Sequence, residues 1–173
     1  GFMFHTMVTP LGFVGPGSEW KWGWAPTNGA WALQNMYDYY LFTLDTEKLR
    51  KDIYPAMEEC ALMWSQLLIE DKNSGRLVVS PGYSPEHGPV SAGITYDQSI
   101  IHNLYTDVIK AAEILENSGM ADAVDRELIE KVKKQLPELK PFAVGKWGQL
   151  KEWYEEDSFP LRGFYNKKVQ KKH

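Results

Sequence analysis

Apolar residues recur every three or four positions through most of the chain after residue 28, which is the spacing that gives a helix one buried face. Residues 29–43 form the first such segment, and either Thr27 or Asn28 is a suitable N-cap. The face predicted to be buried consists of Ala30, Leu33, Tyr37, Tyr40 and Leu41.

A second helical segment begins at Asp45 or Thr46 and is predicted to continue to about Glu70. Pro55 lies inside it and is expected to kink it, because proline has no amide hydrogen to donate and its ring crowds the preceding turn. A "DKNSG" turn and a brief strand at 77–79 follow. The face predicted to be buried consists of Leu49, Ile53, Met57, Cys60, Ala61, Trp64, Leu67 and Leu68.

The clearest helical period begins at Asp97 and stops at the "NSG" of residues 117–119. Another helix is predicted over 121–136, and a last helical piece is predicted to begin near Trp147 and to include Leu150, Trp153 and Tyr154. Residues 1–28 have no clear period and indicate a long ordered loop. The pattern therefore predicts an all-α fold of helix pairs joined by variable loops.

Charge and composition exclude several classes of function. The net charge is −4 and no run of five basic residues occurs, which argues against a nucleic-acid partner. No apolar run approaches the roughly 20 residues that span a bilayer, so no membrane partner is expected. The four histidines show no metal-ligand spacing, and nucleotide-binding fingerprints are absent from the sequence, so we expect neither a metal nor a cofactor.

The stretch "LVVSPGYSPEHG" (77–88) presents one carboxylate, Glu86, between Pro85 and His87. Proline and glycine on both sides lower the entropy lost when such a loop is held in one conformation. A rigidly held carboxyl group is what general acid catalysis requires, since its proton must reach the leaving oxygen. An ordinary loop glutamate that accepts a turn hydrogen bond explains the same pattern.

Aromatic residues make up 13% of the chain, which indicates either a large aromatic core or a ring-lined ligand cleft. Trp20, Trp22 and Trp24 alternate, so an extended backbone would project all three to one side as a stacking wall, or pin a loop to the core. His5 lies in an apolar stretch typical of a core histidine, whereas His87 contacts either ligand or loop.

The acidic run at 152–157 leaves two interpretations open. Glu152, Glu155, Glu156 and Asp157 either form the solvated face of a helix or supply a second carboxylate for glycoside chemistry.

Four stretches, in order, resemble the catalytic domain of glycoside hydrolase family 95. They are "WGWAPTNGAWALQNMYDYYLFTLDTEKLRKDIYP" (22–55), "LVVSPGYSPEHG" beside the family's "SPEN" loop, "TYDQSII" (95–101), and "GKWGQLKEWYEED" (145–157) beside its "GKYGQLQEW" signature. The resemblance covers nearly the whole chain and implies that residues 1–173 are a single segment of an (α/α)6 barrel built of helix pairs.

The same resemblance implies an inverting exo-glycosidase that hydrolyses terminal α-L-fucosides, or a similar sugar such as galactose, in an oligosaccharide or glycan. Glu86 matches the family's general acid, and His5 matches a histidine near the sugar pocket. The family usually has Asn where His87 stands. The candidate substrate-binding residues are His5 and His87 together with the alternating Trp20, Trp22 and Trp24.

Three family motifs are not found in these 173 residues: the Asn pair and the "IDGNFG"-like Asp that hold the attacking water, and the "HRHxSH" motif. We therefore expect an interior fragment that does not turn over substrate alone and that self-associates through uncovered helix faces. The alternative is a non-catalytic carbohydrate-binding or structural helical domain.

Overall fold

The computed structural model describes residues 2–3, 5, 7–9, 11, 13–15, 23–84 and 88–158. These residues are mainly helical, which is compatible with the predicted all-α fold class. The α-helices are α1 (Asn28–Thr43), α2 (Thr46–Lys48), α3 (Tyr54–Leu67), α4 (Thr95–Asn117) and α5 (Arg126–Gln135). The other helical segments are a π-helix (Leu49–Ile53) and 3₁₀ turns at Ala121–Ala123, Leu136–Glu138 and Glu156–Ser158.

Helix α1 forms where the sequence predicts it, with Thr27 at the N-cap position. It ends at Leu44, which has a left-handed φ of 56° and donates its N–H to the carbonyl of Tyr40. The predicted buried face is right except at Leu41, which is 52% exposed. Leu41 follows Tyr40 by one residue, so the 100° helical step turns its side chain away from the narrow buried stripe.

The second predicted helix is divided into α2, the π-helix and α3. Asp45 caps α2 by accepting a hydrogen bond from the N–H of Lys48. The helical path is continuous from Thr46 to Leu67, and Pro55 lies in the first turn after the π-helix. The irregularity expected at the proline therefore takes the form of a π-helical segment directly before it. The predicted end near Glu70 is wrong: α3 stops at Leu67, which is 44% exposed, and the chain then becomes extended.

Three antiparallel pairs of two-residue strands complete the regular structure of the described residues. They are β1 (Met7–Val8) with β2 (Val14–Gly15), β3 (Ile69–Glu70) with β4 (Leu77–Val78), and β5 (Gly82–Tyr83) with β6 (Val90–Ser91). The first pair adds a hairpin to the predicted N-terminal loop, and β4 confirms the brief strand. The β5–β6 hairpin carries the segment that contains Glu86.

Helix α4 is the centre of the core, since it packs against α1, α3 and α5. It begins at Thr95, two residues before the predicted start at Asp97, which therefore lies in its first turn. The helix predicted over 121–136 is instead a 3₁₀ turn followed by α5, which Asp125 caps through the N–H of Leu128. Cys60 is fully buried in this core, as its apolar surroundings in the sequence predict.

The helix predicted near Trp147 does not form. Residues 143–151 make a tight loop instead, in which the N–H of Lys151 donates to the carbonyl of Ala143 and Gly148 adopts a φ of 82°. Leu150 is 58% exposed, whereas Trp153 is fully buried. The glycines of "GKWG" permit this turn, and the apolar residues that suggested a helix face point in different directions.

Candidate active site

Two of the six candidate site residues, His5 and Trp24, belong to the described part of the chain. Their rings stack with centroids 4.8 Å apart and planes inclined by 30°. Glu86, His87, Trp20 and Trp22 lie outside the described residues. The described residues on either side of the 85–87 segment, and their contacts, define the site.

His5 is held as a neutral imidazole. The N–H of Ala25 donates to Nδ1 of His5 at 3.3 Å, so this nitrogen carries a lone pair and the proton is assigned to Nε2. Partial burial lowers the pKa of His5 from its usual value, because desolvation penalises the charged ring. His5 thus has an Nε2–H group that can donate a hydrogen bond to a sugar hydroxyl oxygen.

Trp24 links this stacked pair to the hairpin that carries Glu86. Its indole Nε1 donates to the carbonyl of Pro81 at 2.8 Å, across 57 residues of sequence. The indole is half-buried, so one ring face packs on His5 while the polar edge holds the start of the hairpin. The structure therefore joins His5 and Trp24 to the glutamate loop.

A buried carboxyl group lies beneath the same hairpin. Asp97 of α4 accepts a hydrogen bond at Oδ1 from the hydroxyl of Thr27 at 2.7 Å, and both residues are fully buried. Its Oδ2 lies against Gly82, where a Cβ atom would overlap it. Desolvation raises the pKa of Asp97 to about 7, and the Thr27 hydrogen bond opposes this rise.

The next residue of α4 fixes the strand that enters the loop. Gln98 is buried, and its Oε1 accepts from the N–H of Val79 at 2.9 Å while its Nε2 donates to the carbonyl of Leu77 at 3.1 Å. One side-chain amide therefore takes the place of a neighbouring strand along residues 77–79. Gln98 and Asp97 together set the position of the hairpin relative to α4.

The far side of the hairpin is held by the "KEW" segment. Ser84 donates its hydroxyl hydrogen to Oε1 of Glu152. Gly88 has a φ of 89°, and a Cβ placed there would overlap the indole of Trp153. The residues that flank 85–87 thus contact two consecutive residues of a segment more than 60 positions away.

The acidic run does not form the solvated helix face considered from the sequence. Glu156 is buried, and its carboxylate accepts from Nε2 of Gln149 and from the N–H of Glu152, both at 2.7 Å. Asp157 pairs with Nζ of Lys151 at 2.8 Å. Among the four acidic residues, Glu152 lies next to the hairpin.

Sequence reasoning missed the supporting residues rather than the loop itself. Thr27 and Asp97 were read as helix starts, and Glu152 as one member of an acidic run. The available signal was position: each lies in one of the four stretches that resemble the family.

The described residues contain no group of three or more His, Cys, Asp or Glu side chains arranged to hold a metal ion. No helix in the same part of the chain is both long and apolar enough to cross a bilayer. The chemistry available around the hairpin is that of carboxyl groups, an imidazole and aromatic rings.

The chain is similar in sequence to three curated proteins that are named as fucosidases. Alpha-L-fucosidase 2 of Arabidopsis thaliana is 32% identical over 151 residues, which cover 82% of this chain and 17% of the relative. Probable alpha-fucosidase A of Aspergillus oryzae is 43% identical over 88 residues, covering 50% of this chain and 11% of that protein. Its counterpart in Aspergillus niger is 28% identical over 160 residues, covering 88% of this chain and 19% of the relative.

The chain thus spans less than a fifth of the length of each of these curated relatives. Residues 1–173 match throughout to the model of the Glycosyl hydrolase family 95 catalytic domain. The chain belongs to glycosyl hydrolase family 95.

Proposed function

We propose that the chain is part of the catalytic domain of an inverting exo-glycosidase that hydrolyses terminal α-L-fucosides, or a similar sugar such as galactose, with Glu86 as the general acid. The fucosidase names of the relatives support the sugar class. Membership of the family supports the reaction class.

One observation carries the proposal: of the four stretches that resemble the family, three converge on the second, which forms the hairpin around Glu86. Trp24 and Thr27 come from the first stretch, Asp97 from the third and Glu152 from the fourth. They contact the second stretch directly or, for Thr27, through Asp97. A hairpin that is contacted from three separate stretches of the chain is suited to presenting one carboxyl group.

In the proposed reaction, Glu86 protonates the leaving glycosidic oxygen while a base on the opposite face of the sugar activates water. The two carboxyl groups of an inverting site stand about 6.5–9.5 Å apart to admit that water. His5 donates from Nε2 to a sugar hydroxyl, and Trp24 offers an aromatic face to the sugar ring; Trp20, Trp22 and His87 complete the substrate contacts. The base comes from the remainder of an (α/α)6 barrel, of which residues 1–173 are one segment.

The test compares the 173-residue chain with the longer protein encoded when its flanking coding sequence is included. We expect the longer protein to release fucose from a 2-linked fucoside with inversion, observed by proton NMR of the first-formed anomer. Glu86→Gln should abolish release, whereas Glu113→Gln, an exposed glutamate on α4, should leave it unchanged. The 173-residue chain alone should release none.

Two results would contradict the proposal. Release of the retained anomer would exclude the inverting mechanism, and full activity in Glu86→Gln would exclude Glu86 as the acid. Sugar binding that survives Glu86→Gln, without hydrolysis by the longer protein, would favour the carbohydrate-binding alternative instead. Absence of both binding and hydrolysis would favour the structural one.

A further inference from the structure

We propose that Glu152 is a positioning residue for the general acid, holding the Glu86 loop through Ser84 while Trp153 closes against Gly88. The inference rests on the proposed function, because it assigns to Glu152 a part in presenting Glu86. It is a different role from that of a second catalytic carboxylate, since Glu152 acts through another residue.

The first contact in this arrangement is the hydrogen bond from Ser84 to Glu152. Ser84 is buried and stands two positions before Glu86 in the sequence. Its hydroxyl donates to Oε1 of Glu152, and a hydrogen bond to an ionised acceptor is about twice as strong as one between neutral groups.

The backbone of Glu152 is itself fixed on both sides. Its N–H donates to Oε2 of the buried Glu156 at 2.7 Å, and its carbonyl accepts from the N–H of Thr95 at 3.1 Å. Thr95 opens α4, the central helix, and its hydroxyl donates to the carbonyl of Lys151. The carboxylate that holds Ser84 is therefore attached to the core rather than to a free loop.

The second contact is made at Gly88, directly after the 85–87 segment in the sequence. Trp153 is 1% exposed, and its indole packs so closely on Gly88 that no Cβ fits there. Consecutive residues thus hold both flanks of the 85–87 segment, one by a directional hydrogen bond and one by packing. A carboxyl group presented from such a segment loses less freedom when it meets the leaving oxygen, and a shift of about 1 Å in such a group costs about 100-fold in rate.

The experiment uses the longer protein described above and two fucosides that differ only in leaving group. A sugar leaving group needs protonation, whereas 2,4-dinitrophenolate departs without it, so damage to the general acid appears with the first substrate alone. We expect Glu152→Ala and Ser84→Ala each to lower kcat on the sugar substrate by about 10–100-fold, with KM nearly unchanged. On the dinitrophenyl substrate the loss should stay below about 3-fold.

Three further variants test whether the effect is specific to this hydrogen bond. The double variant should lose no more of its kcat than either single variant, because each single variant already removes the same Ser84–Glu152 hydrogen bond. Glu152→Gln keeps an oxygen acceptor for Ser84 and should retain most of the rate. Glu113→Ala should match the wild type on both substrates.

Equal losses on both substrates, or additive losses in the double variant, would overturn the inference. If Glu86→Gln shows the leaving-group signature and Glu152→Ala does not, the inference fails while the proposed function stands. If Glu86→Gln also lacks the signature, the proposed general acid is wrong and the inference falls with it.

Discussion

Thr27 and Asp97, separated by 70 residues in the sequence, share a 2.7 Å hydrogen bond in which neither side chain is exposed to solvent. Thr27 precedes α1 and Asp97 lies in the first turn of α4, so the bond joins the starts of two core helices beneath the Glu86 hairpin. The other oxygen of Asp97, Oδ2, has no hydrogen-bond partner among the described residues. An ionised carboxylate is costly in such a place, and a protonated one is less so.

We predict that Asp97 makes the chain less stable as the pH rises from about 4 to about 7. Its pKa is raised from 3.8 to about 7 in the fold, so in this interval the folded state binds more protons than the unfolded state. Stability is therefore lost with rising pH, by about 1.4 kcal/mol for each unit of pKa difference.

Urea unfolding of the 173-residue chain at pH 5 and pH 8 measures this effect. Asp97→Asn keeps the acceptor for Thr27 and cannot ionise, so the difference between the two pH values should shrink. Asp38→Asn, on the exposed side of α1, should keep the wild-type difference. An undiminished difference in Asp97→Asn would show that another group is responsible.

The lack of space for a Cβ atom at Gly88 leads to a second prediction, for which Gly119 is the matched control. Both have positive φ, 89° and 78°, but a Cβ at Gly119 meets nothing within 4 Å, whereas one at Gly88 overlaps Trp153. Gly119→Ala should lower the free energy of unfolding by about 1–2 kcal/mol, because alanine is strained at a left-handed φ. Gly88→Ala should cost about 1–3 kcal/mol more, because the buried indole must move.

Chemical unfolding of both variants, followed by tryptophan fluorescence, tests the difference. Equal costs would mean that Trp153 does not press on Gly88.

Elements with a strong local signal are the ones whose position can be predicted from the sequence. Helices α1 and α4 carry long regular periods and were placed to within about two residues. The segment near Trp147 was misread because its apolar residues mimic a helical period, although "GKWG" favours a turn. Leu41 and Leu67 were assigned to the core because period alone does not tell how wide the buried stripe is.

The residues that hold the hairpin in place could not be predicted from the sequence, for a different reason. The contact between Ser84 and Glu152 spans 68 residues, and no local pattern encodes a side-chain pair at that separation. The family resemblance pointed to Glu86 and His5, and the alternation of Trp20, Trp22 and Trp24 pointed to the tryptophans. Only the folded chain shows that Trp24 reaches Pro81 and that Gln98 holds residues 77–79.

The ion pair between Lys140 and Asp71 predicts a loss of stability in acid. Nζ of Lys140 lies 2.8 Å from the carboxylate and 3.7 Å from the ring centroid of Tyr154, and the two charged side chains are only 9% and 15% exposed. Hydrogen bonds from Lys140 and Ser74 lower the pKa of Asp71 to about 2. The folded state binds fewer protons here, so this stabilisation is present above about pH 4 and is lost between about pH 4 and pH 2.

Lys140→Met removes the cation and keeps the apolar stem. We expect it to lower the free energy of unfolding at pH 7 by about 1–3 kcal/mol, less than for a fully buried pair, and to weaken the acid dependence. Lys133→Met, whose partner Glu130 is exposed, should change little. A Lys140→Met variant with the wild-type acid transition would contradict the assignment.

Exposed apolar side chains at the end of α1 predict self-association of the 173-residue chain. Phe42 is 91% exposed, Leu44 68% and Leu41 52%, three apolar residues within four positions. A neighbouring copy that covers them removes apolar surface from water, at roughly 25 cal/mol per Å². Sedimentation velocity across a range of concentrations should therefore show species larger than a 19.9 kDa monomer.

Phe42→Ser should shift the distribution towards monomer without lowering the unfolding midpoint, because the ring makes little contact within its own chain. Leu104→Ala, in the buried core, serves as the opposite control: it should destabilise the fold by about 2–5 kcal/mol, through the cavity that it leaves. A wild-type chain that sediments as a monomer at all concentrations would exclude association through this surface. Association that persists undiminished in Phe42→Ser would place it elsewhere on the molecule.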